Sequence, residues 1–165
     1  MIFVTVGTHE QGFERLIKKI DDLVRDGKIK EDVIMQIGFT QYKPKYCKWY
    51  TIIPYGDMHK YIDDARIVIT HGGPASFIMP LQIGKVPIVV PRQEKYHEHI
   101  NNHQVEFTKH ISSRLGNIIP VYEIEDLIDT IENYDNLVSN VDKKMAMHNK
   151  EFIKGFDKIV KGLFD

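Results

Sequence analysis

The stretch from Ile67 to Pro91 leaves this chain fewer ways to fold than any other part of it. Ile67, Val68 and Ile69 form a short continuous apolar run, the pattern of a strand buried on both faces of a parallel sheet. His71-Gly72-Gly73 follows, where the chain must turn sharply. Pro74 suits the first position of a helix, because its missing N–H would have no partner there. Gly84 stops that helix, and Val86 to Val90 supply the next buried strand. The stretch therefore predicts a β-α-β unit with a glycine turn at the carboxyl end of its first strand. Residues without side chains ahead of a helix N-terminus let backbone N–H groups approach a phosphate or pyrophosphate. The same glycines also serve where only a tight turn is needed, and both readings stand at this point.

The rest of the chain repeats the alternation. Ile2 to Val6 predicts a first strand closed by Gly7-Thr8-His9-Glu10-Gln11-Gly12. A helix follows with Phe13, Leu16, Ile17, Ile20, Leu23 and Val24 at spacings of three and four. Gly7 to Gly12 has the glycine spacing of a nucleoside-triphosphate loop. Phe13 and Glu14 hold the positions that need Lys and Ser or Thr, which excludes that reading. Val33 to Ile37 predicts the second strand and Tyr50 to Ile53 the third, with a polar, aromatic loop from Phe39 to Lys48 between them. Asp57 caps a helix that runs through Asp64. After Pro91 come a polar stretch, a helix from about His99 to Lys109, a strand from Ile118 to Val121 and a helix from Glu123 to Glu132. Leu137, Val141, Met145, His148, Phe152, Phe156, Ile159 and Leu163 then keep helical spacing, which predicts an amphipathic helix over about 135–164. Strands alternating with helices give an open parallel α/β sheet with helices on both faces, in one domain spanning 1–165. Such sheets bind ligands outside the carboxyl ends of their strands. The loops that begin at Gly7, Gly38, Pro54, His71 and Pro91 are therefore the ones to watch.

Composition narrows the function. Lys plus Arg number 22 against 23 Asp plus Glu, a net charge of -1, which lacks the basic excess of nucleic-acid binders. Cys47 is the only cysteine, so no intramolecular disulfide forms, as suits a reducing cytoplasm. No secretory signal precedes the first strand and no apolar run approaches the length of a membrane span. The expected location is cytoplasmic, with any membrane association peripheral or through a partner. His97, His99 and His103 lack a zincin arrangement and a nearby cysteine, and read as surface histidines at a helix start. His-Gly-Gly without a Gly-x-Ser-x-Gly elbow does not make a hydrolase.

Three ordered motifs carry a family resemblance: Thr70-His71-Gly72-Gly73-Pro74-Ala75-Ser76, then Gly84-Lys85-Val86-Pro87-Ile88-Val89-Val90-Pro91-Arg92, then Asn102-His103-Gln104. The chain resembles the carboxyl-terminal, donor-binding domain of family 28 glycosyltransferases, the Rossmann-like half of the B-type fold. More narrowly, it is similar to the free-standing small subunits of split transferases. These include the cytosolic subunit of the dolichol-linked N-acetylglucosaminyltransferase. They also include the bacterial capsule and exopolysaccharide subunits described as β-1,4-galactosyltransferase enhancers. The bacterial group is nearer, because Val4 to Gln11 and His97 to Gln104 also match it. The resemblance runs from Met1 to about Phe107.

It implies that the turn from His71 to Ser76 takes the pyrophosphate of a nucleotide-diphosphate sugar, through His71, Gly72, Gly73 and Ser76. Asn102 and Gln104 would bond hydroxyls of the donor sugar, and His103 would orient their helix. The implied reaction is inverting transfer of a hexose from a UDP-sugar, UDP-galactose favoured, to a lipid-linked acceptor in capsule or exopolysaccharide synthesis. No metal and no cofactor is expected. His9 and Glu10, at the end of the first strand, are the chain's own candidates for the general base, although the partner chain is the favoured source. One position departs from the pattern. Many B-type transferases place a ribose-binding glutamate on the helix after the glycine turn, and here Met79 stands there beside Pro80. Pro80 removes one backbone donor in mid-helix and should kink it.

A B-type transferase needs two facing domains, and 165 residues do not hold both. The chain is then half an active site, or a non-catalytic accessory that stabilises or enhances a partner; a nucleotide-sugar epimerase would normally carry both domains. The expected partner is a membrane-associated, acceptor-binding glycosyltransferase subunit that brings this chain to the inner face of the membrane. From Lys143 to Asp165 there are six lysines against three carboxylates, beside the stripe of Phe152, Phe156, Ile159 and Leu163. Such a helix either docks on that partner or folds back on its own sheet with its lysines in water.

Overall fold

A strand covered on both faces needs apolar residues at successive positions, and here successive residues serve opposite faces. The computed structural model describes residues 1–141 together with 154, 155, 157–159, 161 and 162. Its strands are β1 (Ile2–Thr5), β2 (Val33–Gln36), β3 (Lys48–Tyr50), β4 (Ile67–His71), β5 (Ile88–Val90) and β6 (Ile119–Pro120). They pair in parallel in the order β3-β2-β1-β4-β5-β6. The helices are α1 (Glu14–Arg25), α2 (Tyr55–Asp64), α3 (Pro74–Gln82), α4 (His103–Leu115), α5 (Leu127–Glu132) and α6 (Tyr134–Ser139).

Ile2, Val4, Ile67, Ile69, Ile88 and Val90 turn to one face, where Leu16, Ile17 and Ile20 of α1 and Leu127 and Ile131 of α5 cover them. Phe3 and Val68 turn the other way, onto Met58 and Ile62 of α2. Val89 meets Phe77 and Leu81 of α3 and Phe107 and Ile111 of α4. Phe77 and Phe107 form a tilted ring pair at 5.8 Å, worth about 0.5–1.5 kcal/mol beyond the area it buries. Ile159 packs on this last cluster. Of the helix expected over 135–164, α6 covers the start and the described residues from 154 to 162 are helical. Met145, His148, Phe152, Phe156 and Leu163 lie outside the described residues.

Several boundaries differ from the sequence reading. The third strand is Lys48–Tyr50 and not Tyr50–Ile53, because it is an edge strand whose side chains stay partly exposed and form no apolar run. Ile53 is still anchored: its N–H donates to Oε1 of buried Gln36 at 2.7 Å. Helix α2 starts at Tyr55 behind Pro54, and Asp57 lies inside its first turn without capping it. Helix α4 starts at His103 and not near His99, because Glu94–Tyr96 forms a 3-10 turn and His97 adopts left-handed backbone, φ 58. The expected helix from Glu123 opens as a 3-10 turn, Ile124–Asp126, before α5. Pro80 falls in the last turn of α3, which still reaches Gln82. Lys85, just past the Gly84 stop, donates to the carbonyls of Ile62 at 2.7 Å, Asp63, and Ala65 at 2.6 Å, and so caps the carboxyl end of α2.

The strand order reverses between β1 and β4, which are hydrogen-bonded neighbours with Thr5 opposite Thr70. The crevice outside their carboxyl ends is the switch point of the sheet. Gly7 and His71 meet there.

Candidate functional site

His71 ends β4 with its imidazole buried, and two glycines make room for it. A Cβ on Gly73 would lie 2.1 Å from Cε1 of His71, and a Cβ on Gly7 would lie 2.5 Å from Nε2. Gly72 faces the other way, where a Cβ would stand 3.0 Å from both Gln104 Cβ and Thr108 Oγ1. The turn that read as a phosphate cradle is therefore glycine for packing in the first place.

The hydrogen bonds fix its chemistry. Oε1 of Gln104 accepts from the N–H of Gly72 at 3.0 Å and of Arg92 at 3.1 Å. Two donors on one oxygen settle the amide orientation and put Nε2 of Gln104 3.3 Å from Nδ1 of His71. The Gly73 N–H also donates to that Nδ1, at 3.1 Å. Nδ1 is thus an acceptor and the ring hydrogen sits on Nε2, which donates to Ser76 Oγ at 2.9 Å. Burial first, and then the charge of Arg92, push His71 down to about 3, so the ring is neutral at neutral pH. Ser76 spends a lone pair on the histidine and keeps its own hydroxyl hydrogen for another acceptor. The Gly72 and Gly73 N–H groups are spent inside the turn. At the start of α3, Pro74 has no donor and the Ser76 N–H bonds the Gly73 carbonyl at 3.1 Å. Among the described residues the Ala75 N–H has no acceptor. The Ala75 N–H and the Ser76 hydroxyl hydrogen are thus the donors left at the positive end of this helix, where negative charge is favoured.

Arg92, whose N–H shares Gln104 Oε1 with Gly72, is 1% exposed. Its guanidinium donates to the carbonyls of Val6 at 2.7 Å, Gln11 at 2.7 Å, Glu98 at 3.0 Å and Gly12 at 3.2 Å. It also lies over the Phe13 ring at 5.0 Å. Burial pushes it down to about 10, which still leaves a cation at neutral pH. It ties the loop after β1 to the loop after β5. Arg15 reinforces the tie, holding Glu98 bidentately at 2.7 and 3.0 Å. Neither arginine was assigned a role from sequence. For Arg92 the signal is a charge just past a buried strand, and for Arg15 a charge in the first turn of α1; neither reveals what the charge holds.

The other candidates sit around the crevice. His9 is half-buried and stacks on His99, with ring centroids 4.6 Å apart. His99 is half-buried too, so it is not a surface histidine at a helix start: its ring is covered by His9. Glu10 is exposed. Asn102 is exposed at the N-cap of α4, and its Oδ1 accepts from the Glu94 N–H at 3.0 Å. His103, the first residue of α4, is exposed, and its N–H bonds Asn101 Oδ1 at 3.0 Å. Met79, partly buried, packs against the apolar cluster of Phe3, Ile53 and Met58. Among the described residues no cluster of His, Cys, Asp or Glu is arranged to hold a metal ion.

The sequence profile of the glycosyltransferase family 28 C-terminal domain matches residues 1–163. The chain belongs to this family. Membership supports a donor-binding role in a glycosyltransferase. Two solved structures are similar in fold. One is the glycosyltransferase SnogD from Streptomyces nogalater, with TM-score 0.56 and 15% identity over 98% of this chain and 44% of that one. The other is the glycosyltransferase of kitacinnamycin, with TM-score 0.57 and 15% identity over 98% of this chain and 39% of that one. The family 28 domain thus spans less than half the length of either. No curated protein matches it in sequence. No helix among the described residues is long and apolar enough to cross a membrane.

Proposed function

We propose that this domain is the donor-binding subunit of a two-subunit inverting glycosyltransferase. It takes a UDP-sugar, UDP-galactose favoured, and acts with a membrane-associated subunit that binds a lipid-linked acceptor in capsule or exopolysaccharide synthesis. The observation that supports the reading is the start of α3: the Ala75 N–H and the hydroxyl hydrogen of Ser76, whose oxygen accepts from a neutral His71, are the donors left at the switch point. Donors fixed in advance stabilise the charge that develops on a departing nucleoside diphosphate without reorganising. His71, Gly72 and Gly73 shape the turn, and Ser76 meets the phosphate. Asn102 reaches the donor sugar from the rim. Gln104 has its oxygen committed to the turn, so its Nε2 is the atom left for the sugar. With Met79 in an apolar cluster, ribose recognition falls to backbone groups or to the loop after Pro91.

Its place is the cytoplasm, at the inner face of the membrane when the partner recruits it. Recruitment uses the lysine-rich carboxyl-terminal helix, and deletion after Val141 tests this: a folded, truncated chain should no longer co-purify with the partner. For the activity, a panel of UDP-sugars is assayed with the acceptor-binding chain, each chain alone and both together. Transfer only by the pair supports half an active site. Transfer by the partner alone, raised by this chain, makes it an accessory and overturns the reading.

A further inference from the structure

Two imidazoles at the rim of the crevice have no part in the proposed α3 anion site: His9, after β1, and His99, after β5. Their rings lie parallel, 10° apart in plane, at 4.6 Å between centroids. Gln11 orients the first. Its Nε2 donates to the His97 carbonyl at 3.2 Å, which turns its Oε1 toward Nε2 of His9 at 2.9 Å. An amide oxygen only accepts, so Nε2 of His9 carries the hydrogen and Nδ1 holds the free lone pair. The left-handed backbone of His97, φ 58, is the only positive φ outside glycine among the described residues, and it sets the carbonyl that Gln11 grips. Strain of this kind collects where a functional geometry is held in place.

His99 differs from its neighbour. Its Nδ1 is buried with no hydrogen-bond partner. Burial first, and then the nearby His9 and Arg92, hold it below the ordinary imidazole range, so it is uncharged at neutral pH. His103 also faces it and acts in the same direction, whereas Asn101 opposes the shift. His71 stands close enough to feel both rings.

We propose that His9 and His99 form a one-proton imidazole pair that serves the acceptor hydroxyl, with Nδ1 of His9 the accepting atom and Gln11 and His99 as positioning residues. This rests on the transferase reading above, and it gives to this chain the base that the sequence left with the partner. In the step, the acceptor oxygen bonds the anomeric carbon while the bond from that carbon to the diphosphate oxygen breaks. The nucleoside diphosphate leaves with the electron pair, and the hydroxyl proton passes to Nδ1 of His9. Nε2–H stays on Gln11 throughout, so the new imidazolium charge rests against an amide oxygen. A neutral His99 keeps the ring in plane and shields one face from water; a charged one would set two cations against each other at 4.6 Å.

The test is a pH titration of the full chain labelled with 15N-histidine, following the ring nitrogens by NMR. In neutral His9 the hydrogen is expected on Nε2. His99 is expected to take its proton below the ordinary imidazole range, and His9→Phe, which keeps a stacked ring and removes the charge, should raise that midpoint. Gln11→Glu should raise the His9 midpoint by about one pH unit, since a carboxylate replaces the amide against Nε2–H. A variant that merely disturbed the loop would not move it upward. Hydrogen on Nδ1 of His9, a His99 midpoint indifferent to His9→Phe, or a His9 midpoint indifferent to Gln11→Glu would overturn the pair. UDP added to the same sample separates this from the transferase reading. Shifts at Ala75 and Ser76 with independent, uncoupled imidazoles leave the donor site intact and remove the pair. No response to UDP with a coupled pair removes the donor site instead.

Discussion

Gly7, at the end of β1, and Gly73, at the start of α3, both pack on the imidazole of His71, and the backbone at the two sites could hardly differ more. Gly7 has φ +71, a left-handed conformation that costs a residue with a side chain about 1–2 kcal/mol. Gly73 has φ -75 and ψ 127, open to any residue. The first must be glycine twice over, for conformation and for space. The second must be glycine only because His71 is there. A glycine pair ahead of a helix reads as an invitation to a ligand, yet here the ring of a neighbouring histidine already fills the space, and the ligand is left the start of the helix.

The largest effect should come from Gly7→Ala, which adds backbone strain to displacement of the ring. About 2–5 kcal/mol of stability should be lost, read from urea unfolding. Gly73→Ala should cost less, about 1–3 kcal/mol, because only the ring must move. The comparison sharpens with His71→Ala as a second change. It should abolish the cost of Gly73→Ala, while Gly7→Ala should keep the penalty of about 1–2 kcal/mol that belongs to its φ. Equal rescue at both sites would break the distinction.

Acid should find the same histidine. His71 is lowered from 6.5 to about 3 in the fold, so between those values the unfolded chain binds more protons. Its contribution to stability is complete above 6.5 and is lost as pH falls toward 3. The slope reaches at most about 1.4 kcal/mol per pH unit. Melting temperatures between about pH 5 and 6.5 should therefore fall with acid, and His71→Gln should flatten that dependence. The smallest change is expected at the rim. Asn102→Ala should cost about 1 kcal/mol of stability or less, for the exposed bond to the Glu94 N–H, leave UDP affinity unaltered, and weaken the UDP-sugar by about threefold to tenfold in calorimetry, the size of a single exposed hydrogen bond.

What the sequence made legible follows the range of the forces involved. The β-α-β centre was readable because buried strands, Pro74 and Gly84 are local signals. The parallel sheet followed from their repetition. The third strand slipped because Lys48, Trp49 and Tyr50 on an edge carry no pattern of burial. The start of α4 slipped because a 3-10 turn and the left-handed His97 intervene, and no side chain there demands either. The site's residues were named largely by motif, but their roles depend on contacts between distant segments. Gly72 and Gln104 lie 32 residues apart, and Arg92 grips Val6 across 86. Nothing local in the chain announces that the glycine N–H groups are already spent.

In the proposed donor complex a diphosphate is held at the start of α3, by the Ala75 N–H and the Ser76 hydroxyl. The direct measurement is a titration of UDP into the 15N-labelled full chain, alongside Ser76→Ala. Saturable shifts centred on the Ala75 and Ser76 amides are expected, with affinity falling by roughly tenfold or more in the variant, the loss of one charge-assisted hydrogen bond. Shifts centred elsewhere, or a variant that binds UDP as well as the parent, would contradict it.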